Sequence, residues 1–398
     1  FRGRLFMRFA PRSVIKSLFC MAAYMDKILF ELYRNDCKRR PLYREIGRLA
    51  GLWNRDIGID LGTATVLVFV KGKGVVLREP SVVAMDQSTG KILSVGEDAK
   101  IMIGKTPGNV VAIRPLRDGV IADYTMTEVM LREFLKKTTS GMERIVRHRL
   151  MIGVPAGATD VERRAVLEAA LEVGAKEAYL IEEPMAAAIG ANMPVGEAVG
   201  NMVVDIGGGT TDIAIVSLGG LVVFESLRVG GDKFDEAIVR YMRKQYNLAI
   251  GEQTAEDVKK QIGACDPTKA SPDKIMDIRG RDLVQGLPRQ VTVNSVDVAK
   301  AIDEPVSSII AGIKRVLEKT PPELSADVMD RGIILTGGGA YLRGLAELIM
   351  EETEINAVVA ESAGECVALG TGIALESLDK LKETGAVYLA TKKGFKGR

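Results

Sequence analysis

The chain has 398 residues, of which 47% are hydrophobic and 27% are charged, so it is long enough for two domains with sizeable cores. The formal net charge is only +2, and residues 1–55 hold 13 basic against 4 acidic residues, which leaves a mildly acidic main body that excludes a broad nucleic-acid-binding surface. Four widely spaced cysteines and a single histidine exclude the usual zinc spacings, disulfide frameworks and multi-histidine metal sites, and they suit a reducing cytoplasm.

The first 55 residues differ from the rest of the chain. They are basic and rich in aromatic residues, but their longest apolar run, Leu18 to Met25, is too short to span a bilayer. Residues Ser13 to Tyr33 are compatible with an amphipathic helix on an anionic membrane. Because the chain opens with Phe1 rather than methionine, we favour a translated upstream extension of a protein that starts near Leu52. Membrane binding is the alternative.

The main body opens with a short hairpin that carries an acidic residue before its turn. In Ile57 to Val70, an apolar strand ends near Asp60, Gly62 makes the turn, and Thr63 and Thr65 lead into alternating apolar residues. A glycine turn allows backbone N–H groups to approach an anion closely. The hairpin is therefore a candidate phosphate loop.

The next elements follow from hydrophobic periodicity and turn residues. The sequence predicts further meander strands within 75–83, a loop at 105–117, a helix over 123–137, a strand over 151–154, and a helix from Thr159 with a capping box to Glu162.

A strand then delivers two neighbouring carboxylates to the start of a helix that opens with proline. Glu182 and Glu183 precede Pro184. One interpretation is that these acids only complement the helix dipole. The functional alternative places Glu183 at the carboxyl end of a strand, where ligands of α/β sheets bind and where it would orient an attacking water.

A second hairpin, Val203 to Leu218, has the same plan as the first. Asp205 ends its first strand, three glycines at 207–209 make the turn, and Thr210 and Thr211 add hydroxyl donors. Magnesium keeps most of its waters and is usually held by one or two carboxylates plus phosphates, which suits Asp205. The alternative is a hairpin whose glycines only satisfy a tight turn.

The two hairpins match at a constant offset of 145 residues, which aligns Asp60 with Asp205 and Gly62 with Gly207. Two such hairpins facing each other would hold a phosphate chain from both sides, with one carboxylate from each directed to a metal ion. The sequence therefore predicts a duplicated fold with a nucleotide triphosphate in the cleft between the halves.

The following region combines helices with a small β segment. We expect a helix over 234–246, a second helix capped at Thr254, an irregular β region over 263–292, and a helix over 296–317 that ends before two prolines. Glu256 and Lys259 lie on adjoining turns of the second helix. A solvated face is the usual reason for such residues, and a contact to ribose or adenine is the alternative.

The last motif is a strand, a triglycine turn and a helix over 332–350. Gly337, Gly338, Gly339 and Ala340 offer bare backbone for a flat ligand or a phosphate. No Lys-Ser or Lys-Thr follows, so the motif is not a Walker loop, and the dinucleotide fingerprint is also absent.

Together these motifs resemble the actin-like ATPase superfamily, and within it the MreB/Mbl family of bacterial actins. The similarity runs from Asp56 to about Leu381, through stretches such as DIGIDLGTATVLVFV, LIEEPMAAAIGA and NMVVDIGGGTTDIAIVSLGG. The resemblance implies an α/β actin-like fold of two duplicated ribonuclease-H-like domains with a nucleotide cleft between them. Domain I would cover 56–197 and be completed by 365–391, and domain II would cover 198–364 with a small insert at 232–292.

The resemblance also implies roles for individual residues. Asp60 and Asp205 match the carboxylates near Mg²⁺, and Glu183 and Thr210 match the pair that positions the hydrolytic water. Thr65 stands where the family more often has asparagine. The positions that match ATP-binding residues are Gly62, Thr63, Ala64, Thr65, Gly207, Gly208, Gly209, Thr211, Glu256, Lys259, Gly337, Gly338, Gly339 and Ala340.

The implied function is a slow ATPase that polymerises into paired protofilaments under the cytoplasmic membrane and works with cell-wall elongation proteins to keep a rod shape. The family's membrane loop would fall near Met142 to Val146, where an ordinary loop is the alternative. The rival functions are a small-molecule kinase of the same fold and a plasmid-segregating or magnetosome-type actin. A chaperone is disfavoured because no substrate-binding domain follows Leu381. The motifs do not separate MreB from its paralogue Mbl.

Overall fold

The computed structural model describes residues 56–139, 148–378, 381, 387–391 and 394–396. The basic extension 1–55 and the candidate membrane loop at 142–146 lie outside the described residues. Among the helices within these ranges, none combines the length and the apolar character needed to cross a bilayer.

The elements before residue 200 build the first half of the fold. Its strands are β1 (Asp56–Leu61), β2 (Thr65–Val70), β3 (Gly74–Pro80), β4 (Val83–Asp86), β5 (Ile92–Val95), β6 (Val110–Ile113), β7 (Leu116–Arg117), β8 (Val120–Ile121), β9 (Arg149–Val154) and β10 (Glu177–Glu182). Its helices are α1 (Glu97–Lys100), α2 (Tyr124–Thr138), α3 (Asp160–Glu172) and α4 (Glu183–Gly190).

The elements after residue 200 build the second half, and the last two strands are added to the edge of the first sheet. The strands are β11 (Asn201–Ile206), β12 (Thr211–Ser217), β13 (Gly220–Leu227), β14 (Leu248–Ala249), β15 (Ile275–Asp282), β16 (Pro288–Asn294), β17 (Ile333–Thr336), β18 (Ala357–Val359), β19 (Val387–Thr391) and β20 (Gly394–Lys396). The helices are α5 (Gly231–Tyr246), α6 (Glu252–Ile262), α7 (Ser295–Lys319), α8 (Pro322–Arg331), α9 (Leu345–Thr353) and α10 (Cys366–Glu376).

Most predicted elements are confirmed, together with the signals that define their ends. The Asp123 side chain accepts a hydrogen bond from Met126 N at 3.0 Å and caps α2. Thr159 and Glu162 form the predicted capping box at the start of α3. Helix α4 begins one residue before Pro184, so Glu183 occupies its first turn.

Four local predictions are wrong. Helix α6 begins at Glu252 after Gly251, so Thr254 lies inside the helix and does not cap it. The β part of the region 263–292 is a regular hairpin of β15 and β16, and only 263–274 before it lacks regular strands. A 3-10 turn at Gly338–Tyr341 follows β17, and α9 starts only after Gly344, whose φ of 80° interrupts the helix predicted from Tyr341. The sequence also predicts a loop over 105–117, where β6 and β7 lie.

Two large sheets repeat one strand order. The first sheet runs β20-β19-β10-β9-β1-β2-β3 and the second runs β13-β12-β11-β17-β18. In each, an antiparallel meander of three strands is extended by two parallel strands, β9 and β10 in the first sheet and β17 and β18 in the second. This topology agrees with the duplication inferred from the matched hairpins. We call the parts built on these sheets the first and the second lobe.

Helices α4 and α10 pack against each other in a core shared by both sheets. Met151 of β9 and Val203 of β11 belong to this one buried cluster. A Cβ added at Gly190 would lie 1.9 Å from Cys366 O, and one at Gly370 would lie 1.8 Å from Ala186 O, so only glycine permits this close approach. The helix pair therefore joins the two lobes through a tightly packed core.

Candidate functional site

A cavity of about 500 Å³ lies between the turns of the two equivalent hairpins. Every residue that the sequence singles out for a site lines it, except two. The predicted residues in its wall are Asp60, Gly62, Thr63, Ala64, Thr65, Glu183, Asp205, Gly207, Gly208, Gly209, Thr210, Glu256, Lys259, Gly337, Gly338 and Gly339.

The two exceptions, Thr211 and Ala340, are buried behind the cavity wall. The Thr211 hydroxyl donates a hydrogen bond to Val229 O at 2.7 Å, and Ala340 is 2% exposed. Thr211 is the first residue of β12 and is directed to Val229, whereas Thr210, in the turn before it, lines the cavity. The structure does not bring these two residues to the site.

The two hairpin turns meet directly. A Cβ added at Gly208 would lie 2.5 Å from the Ala64 Cβ, and one added at Gly209 would lie 2.5 Å from Thr63 Oγ1. Contacts this short leave no room for a side chain, which explains why the second turn consists of glycines. The turns thus face one ligand position from both lobes.

Hydrogen bonds to the carbonyls of the second turn orient its N–H groups. Gly231 N donates to Gly207 O at 3.0 Å, and Asp232 N donates to Gly208 O at 2.8 Å. In a trans peptide the N–H points opposite to the C=O. The N–H groups of Gly208 and Gly209 therefore point away from α5, and both residues line the cavity. This arrangement is an anion-binding concavity.

The first turn is held by contacts within its own lobe. The Ser81 hydroxyl donates to Gly62 O at 2.6 Å, and Gly119 N donates to Thr63 Oγ1 at 2.9 Å. Fixed turns pre-organise backbone donors, because little conformational entropy remains to be lost when an anion binds.

Asp60 and Asp205 occupy equivalent positions at the cavity floor. Burial, and then the charge of Asp205, raises the pKa of Asp60 to about 7. Burial raises the pKa of Asp205 to about 6, against a hydrogen bond that its Oδ1 accepts from the Thr336 hydroxyl at 2.7 Å. A nearby cation would favour the charged forms of these two carboxylates, whose pKa values are both raised.

This donor set fits magnesium better than an all-protein metal cage. Across the described ranges, no group of three or more His, Cys, Asp or Glu residues could hold a metal ion. Magnesium is usually bound through one or two carboxylates, with waters and phosphates completing its octahedron. Asp60 and Asp205 would hold such an ion only together with an anionic ligand in the cavity.

The structure distinguishes between the two neighbouring acids at the start of α4. Glu182 pairs with Arg163, with Oε1 and Nη2 3.1 Å apart, whereas Glu183 is 7% exposed and lines the cavity. Burial, and then the charges of Asp212, Asp60 and Asp205, raises the pKa of Glu183 well above its ordinary value. A carboxyl group with a raised pKa suits proton transfer near neutral pH.

Ion pairs that the sequence did not suggest join the lobes at one side of the cavity. Lys100 Nζ lies 2.8 Å from Glu256 Oε2, and Arg114 Nη1 lies 2.9 Å from Asp232 Oδ1. Burial opposes ionisation of Glu256, but hydrogen bonds from Lys100 and Lys260 lower its pKa to about 2. Glu256 thus holds the lobes together whether or not it also contacts a ligand.

Lys259 is also engaged by its own lobe. Its Nζ donates to Asp235 Oδ2 and to Gly231 O, each at 2.8 Å. Nothing in the sequence pattern pointed to Asp235 or Gly231 as its partners, because each lies more than twenty residues away.

The triglycine turn packs against the end of β11 and exposes bare backbone. A Cβ at Gly337, where φ is 79°, would lie 2.3 Å from Ile206 O, and one at Gly339 would lie 2.3 Å from Ile206 Cγ2. Gly338 has free space around it, and the half-exposed Tyr341 lines the cavity beside it. This wall suits a flat ring.

The raised pKa of Asp60 predicts a pH-dependent difference in stability. The folded state holds the proton up to about pH 7, so the stability that Asp60 contributes is present at acid pH and lost as the pH rises from about 4 to 7. Asp60→Asn removes this loss. In EDTA without nucleotide, we expect the urea midpoint of the variant to rise relative to that of the unsubstituted chain across this range. A difference that is constant with pH would contradict the assignment.

Comparison with known proteins places this chain in one family. The family model described as MreB/Mbl protein matches residues 54–383. The cell shape-determining protein Mbl of Bacillus subtilis is 54% identical over 331 residues, which cover 83% of this chain and 98% of that protein. The cell shape-determining protein MreB of Escherichia coli is 52% identical over 336 residues, which cover 83% and 96%.

Solved structures agree with this result. Crystal structures of MreB5 of Spiroplasma citri, one bound to ADP and one to AMPPNP, share 38% identity with this chain at a TM-score of 0.78, covering 83% of this chain and 99% of theirs. A MamK double helical filament is 24% identical at a TM-score of 0.68, covering 81% and 99%, and supports the fold alone. The predicted α/β actin-like fold is confirmed.

Proposed function

The chain belongs to the MreB/Mbl family, and from this premise we propose that it is an ATP-dependent actin-like protein that polymerises into membrane-associated filaments. Its role would be to organise cell-wall synthesis and so maintain rod shape. Relatives named for determining cell shape, more than half identical over nearly their whole length, support this role.

The observation that carries the proposal is the meeting of two equivalent turns over two equivalent carboxylates. Backbone donors of both turns would hold the phosphates of ATP, while Asp60 and Asp205 would hold Mg²⁺ against them. Gly337, Gly338 and Gly339 would form the wall for the adenine ring, and Glu256 and Lys259 would lie near the ribose. The ADP and AMPPNP bound to MreB5 support this choice of ligand.

Hydrolysis would be the task of Glu183 and Thr210. Both line the cavity between the turns, where the terminal phosphate would lie. Glu183 would accept a hydrogen bond from the attacking water and take its proton. The Thr210 hydroxyl would form a second hydrogen bond with this water and so orient it. Bound magnesium would supply positive charge that stabilises the phosphate oxygens. Only these two side chains are proposed to act on the attacking water, which suits a slow ATPase.

Filament formation would depend on closure of the lobes. ATP would contact both lobes and so favour a closed form of the subunit. Closed subunits would contact each other head to tail, and such contacts extend into a filament when they do not close into a ring. ATP shifts this equilibrium only as far as its affinities for the open and closed forms differ. Hydrolysis would then weaken the contacts between subunits.

Several finer features belong to the same proposal. Domain I would comprise 56–197 and 365–391, and domain II would comprise 198–364 with the insert 232–292. Paired protofilaments would lie at the inner face of the cell membrane, in the cytoplasm, and act with cell-wall elongation proteins and without nucleic acid.

Lys100→Ala should speed the release of nucleotide. The variant removes the ion pair of Lys100 with Glu256, whose partly buried side chains join the lobes, and a pair of this kind contributes about 1 kcal/mol. We expect ATP and ADP to dissociate about fivefold faster in stopped-flow measurements. Lys233→Ala breaks an ion pair within α5 and serves as the control. Equal rates for both variants would show that the lobe-bridging pair does not restrain opening.

Electron microscopy on anionic lipid tests the proposal as a whole. The full chain would be incubated with vesicles in Mg-ATP, in Mg-ADP and without nucleotide, while phosphate release is followed. Filaments on the lipid that require ATP, with slow phosphate release, are the expected result. ATP turnover without polymer would favour the kinase alternative, which a screen for phosphorylated sugars would then test. Filaments that form without lipid binding would favour a plasmid-segregating type of actin.

A further inference from the structure

The buried carboxylate of Asp212 lies outside the wall of the cavity described above. Asp212 lies on β12, directly opposite Asp205 on β11, and is 1% exposed. Its Oδ1 accepts a hydrogen bond from Ala156 N at 3.0 Å, and the side chains of Ser226 and Thr210 also interact with this carboxylate. Burying a carboxylate in the interior is costly, so this position needs an explanation.

The hydrogen bond of Asp212 connects the two lobes. Ala156 follows β9 in the first sheet, whereas β12 belongs to the second sheet. The contact is buried, so water cannot replace it while the lobes stay closed. Opening of the cleft would separate the two sheets and break this bond.

The segment that Asp212 holds lies next to Thr210, one of the two residues proposed to position water. Gly119 lies close to both Pro155 and Thr210: a Cβ added at Gly119 would lie 2.6 Å from Pro155 Cγ and 2.9 Å from Thr210 Cγ2. Pro155 immediately precedes Ala156. Among neighbouring charges, that of Asp212 acts most strongly on Glu183. Asp212 therefore lies behind both Thr210 and Glu183, outside the cavity wall.

We propose that Asp212 is a positioning residue for hydrolysis, which holds the Pro155–Ala156 turn against Thr210 when the lobes are closed. The inference rests on the ATPase activity proposed above. Because the hydrogen bond spans the lobes, the geometry that orients water is complete only in the closed form. ATP bound in an open cleft would then be hydrolysed slowly, since a misplacement of about 1 Å costs on the order of 100-fold in rate.

Replacement of Asp212 separates positioning from binding. In the full chain, Asp212→Ala removes the acceptor for Ala156 N, and we expect kcat for phosphate release to fall about 10- to 100-fold with KM for ATP within about threefold. Asp212→Asn keeps an Oδ1 acceptor of the same length, so its kcat should stay within about threefold of the unsubstituted chain. Thermal midpoints with ADP bound show that both variants fold.

Ser217→Ala is the matched control. Ser217 is a buried hydroxyl residue at the far end of β12, so loss of its hydroxyl leaves the bond between Asp212 and Ala156 intact and should leave kcat unchanged. A normal kcat in Asp212→Ala would overturn the inference. So would an equal loss of ATP affinity and kcat, or an Asn variant as slow as the Ala variant. If the unsubstituted chain releases no phosphate from ATP, the proposed ATPase fails, and this inference fails with it.

Discussion

Asp205→Ala is expected to abolish magnesium-dependent ATP binding. Asp205 and Asp60 both line the cavity between the two hairpin turns, and in the proposed site the loss of Asp205 would leave only Asp60 to hold the ion. Even the loss of an outer group around a metal costs about 10- to 100-fold in affinity, so removal of a direct ligand should weaken ATP binding by about 100-fold or more. Calorimetric titration with ATP, in magnesium and in EDTA, measures the effect.

Two further variants make this result specific. Asp205→Asn can still accept the hydrogen bond from Thr336 but carries no charge, so it should behave like the alanine variant if charge is what the metal needs. Asp235→Asn neutralises another buried acid of the same cavity, one that pairs with Lys259, and should keep the magnesium dependence. ATP affinity that rises with magnesium to the same extent in Asp205→Ala would refute the metal site.

Glu183→Ala is expected to slow phosphate release by about two orders of magnitude and to leave ATP affinity nearly unchanged. Glu183 lines the cavity, and in the proposed site it would lie near the terminal phosphate and act on the water, not on the binding of the nucleotide. A positioned acid or base typically contributes about 10²- to 10⁴-fold. Single-turnover phosphate release, measured beside ATP titration, separates the two effects.

Glu182→Ala provides the comparison at the adjacent position. Glu182 is held by Arg163 at 3.1 Å, so its loss should disturb the start of α4 without a direct effect on the water. We expect a rate within about threefold of the unsubstituted chain, because neither Glu182 nor Arg163 lines the cavity. If Glu182→Ala is the slower variant, the roles of the two acids are reversed.

The sequence predicted the parts of the site that depend on a few consecutive residues. Asp60 and Asp205 could be matched because each follows a buried strand and precedes a glycine turn, and this local pattern is repeated in one chain. Glycine turns restrict where backbone donors lie whatever the surrounding fold. The capping box at Thr159 is local in the same sense, and it was confirmed.

Predictions failed where neighbouring residues gave competing signals. Thr254 resembles a helix cap, but Gly251 already precedes a turn with an acidic residue, so α6 starts at Glu252. Thr211 carries the same hydroxyl group as Thr210, but it is the first residue of β12 and is directed to Val229. Residue type alone could not distinguish such pairs.

By itself, the sequence determined the family, the duplicated hairpins and those cavity residues that belong to the hairpin turns and the triglycine turn, because short contiguous motifs specify these features. Only the tertiary structure decided that Glu183, and not Glu182, faces the cavity, that Lys100 reaches Glu256, and that Asp212 holds Ala156. Each of these contacts joins residues far apart in the chain or depends on which side of an element faces the cleft. These contacts stabilise the protein only when the two lobes are packed together, so no local sequence pattern predicts them.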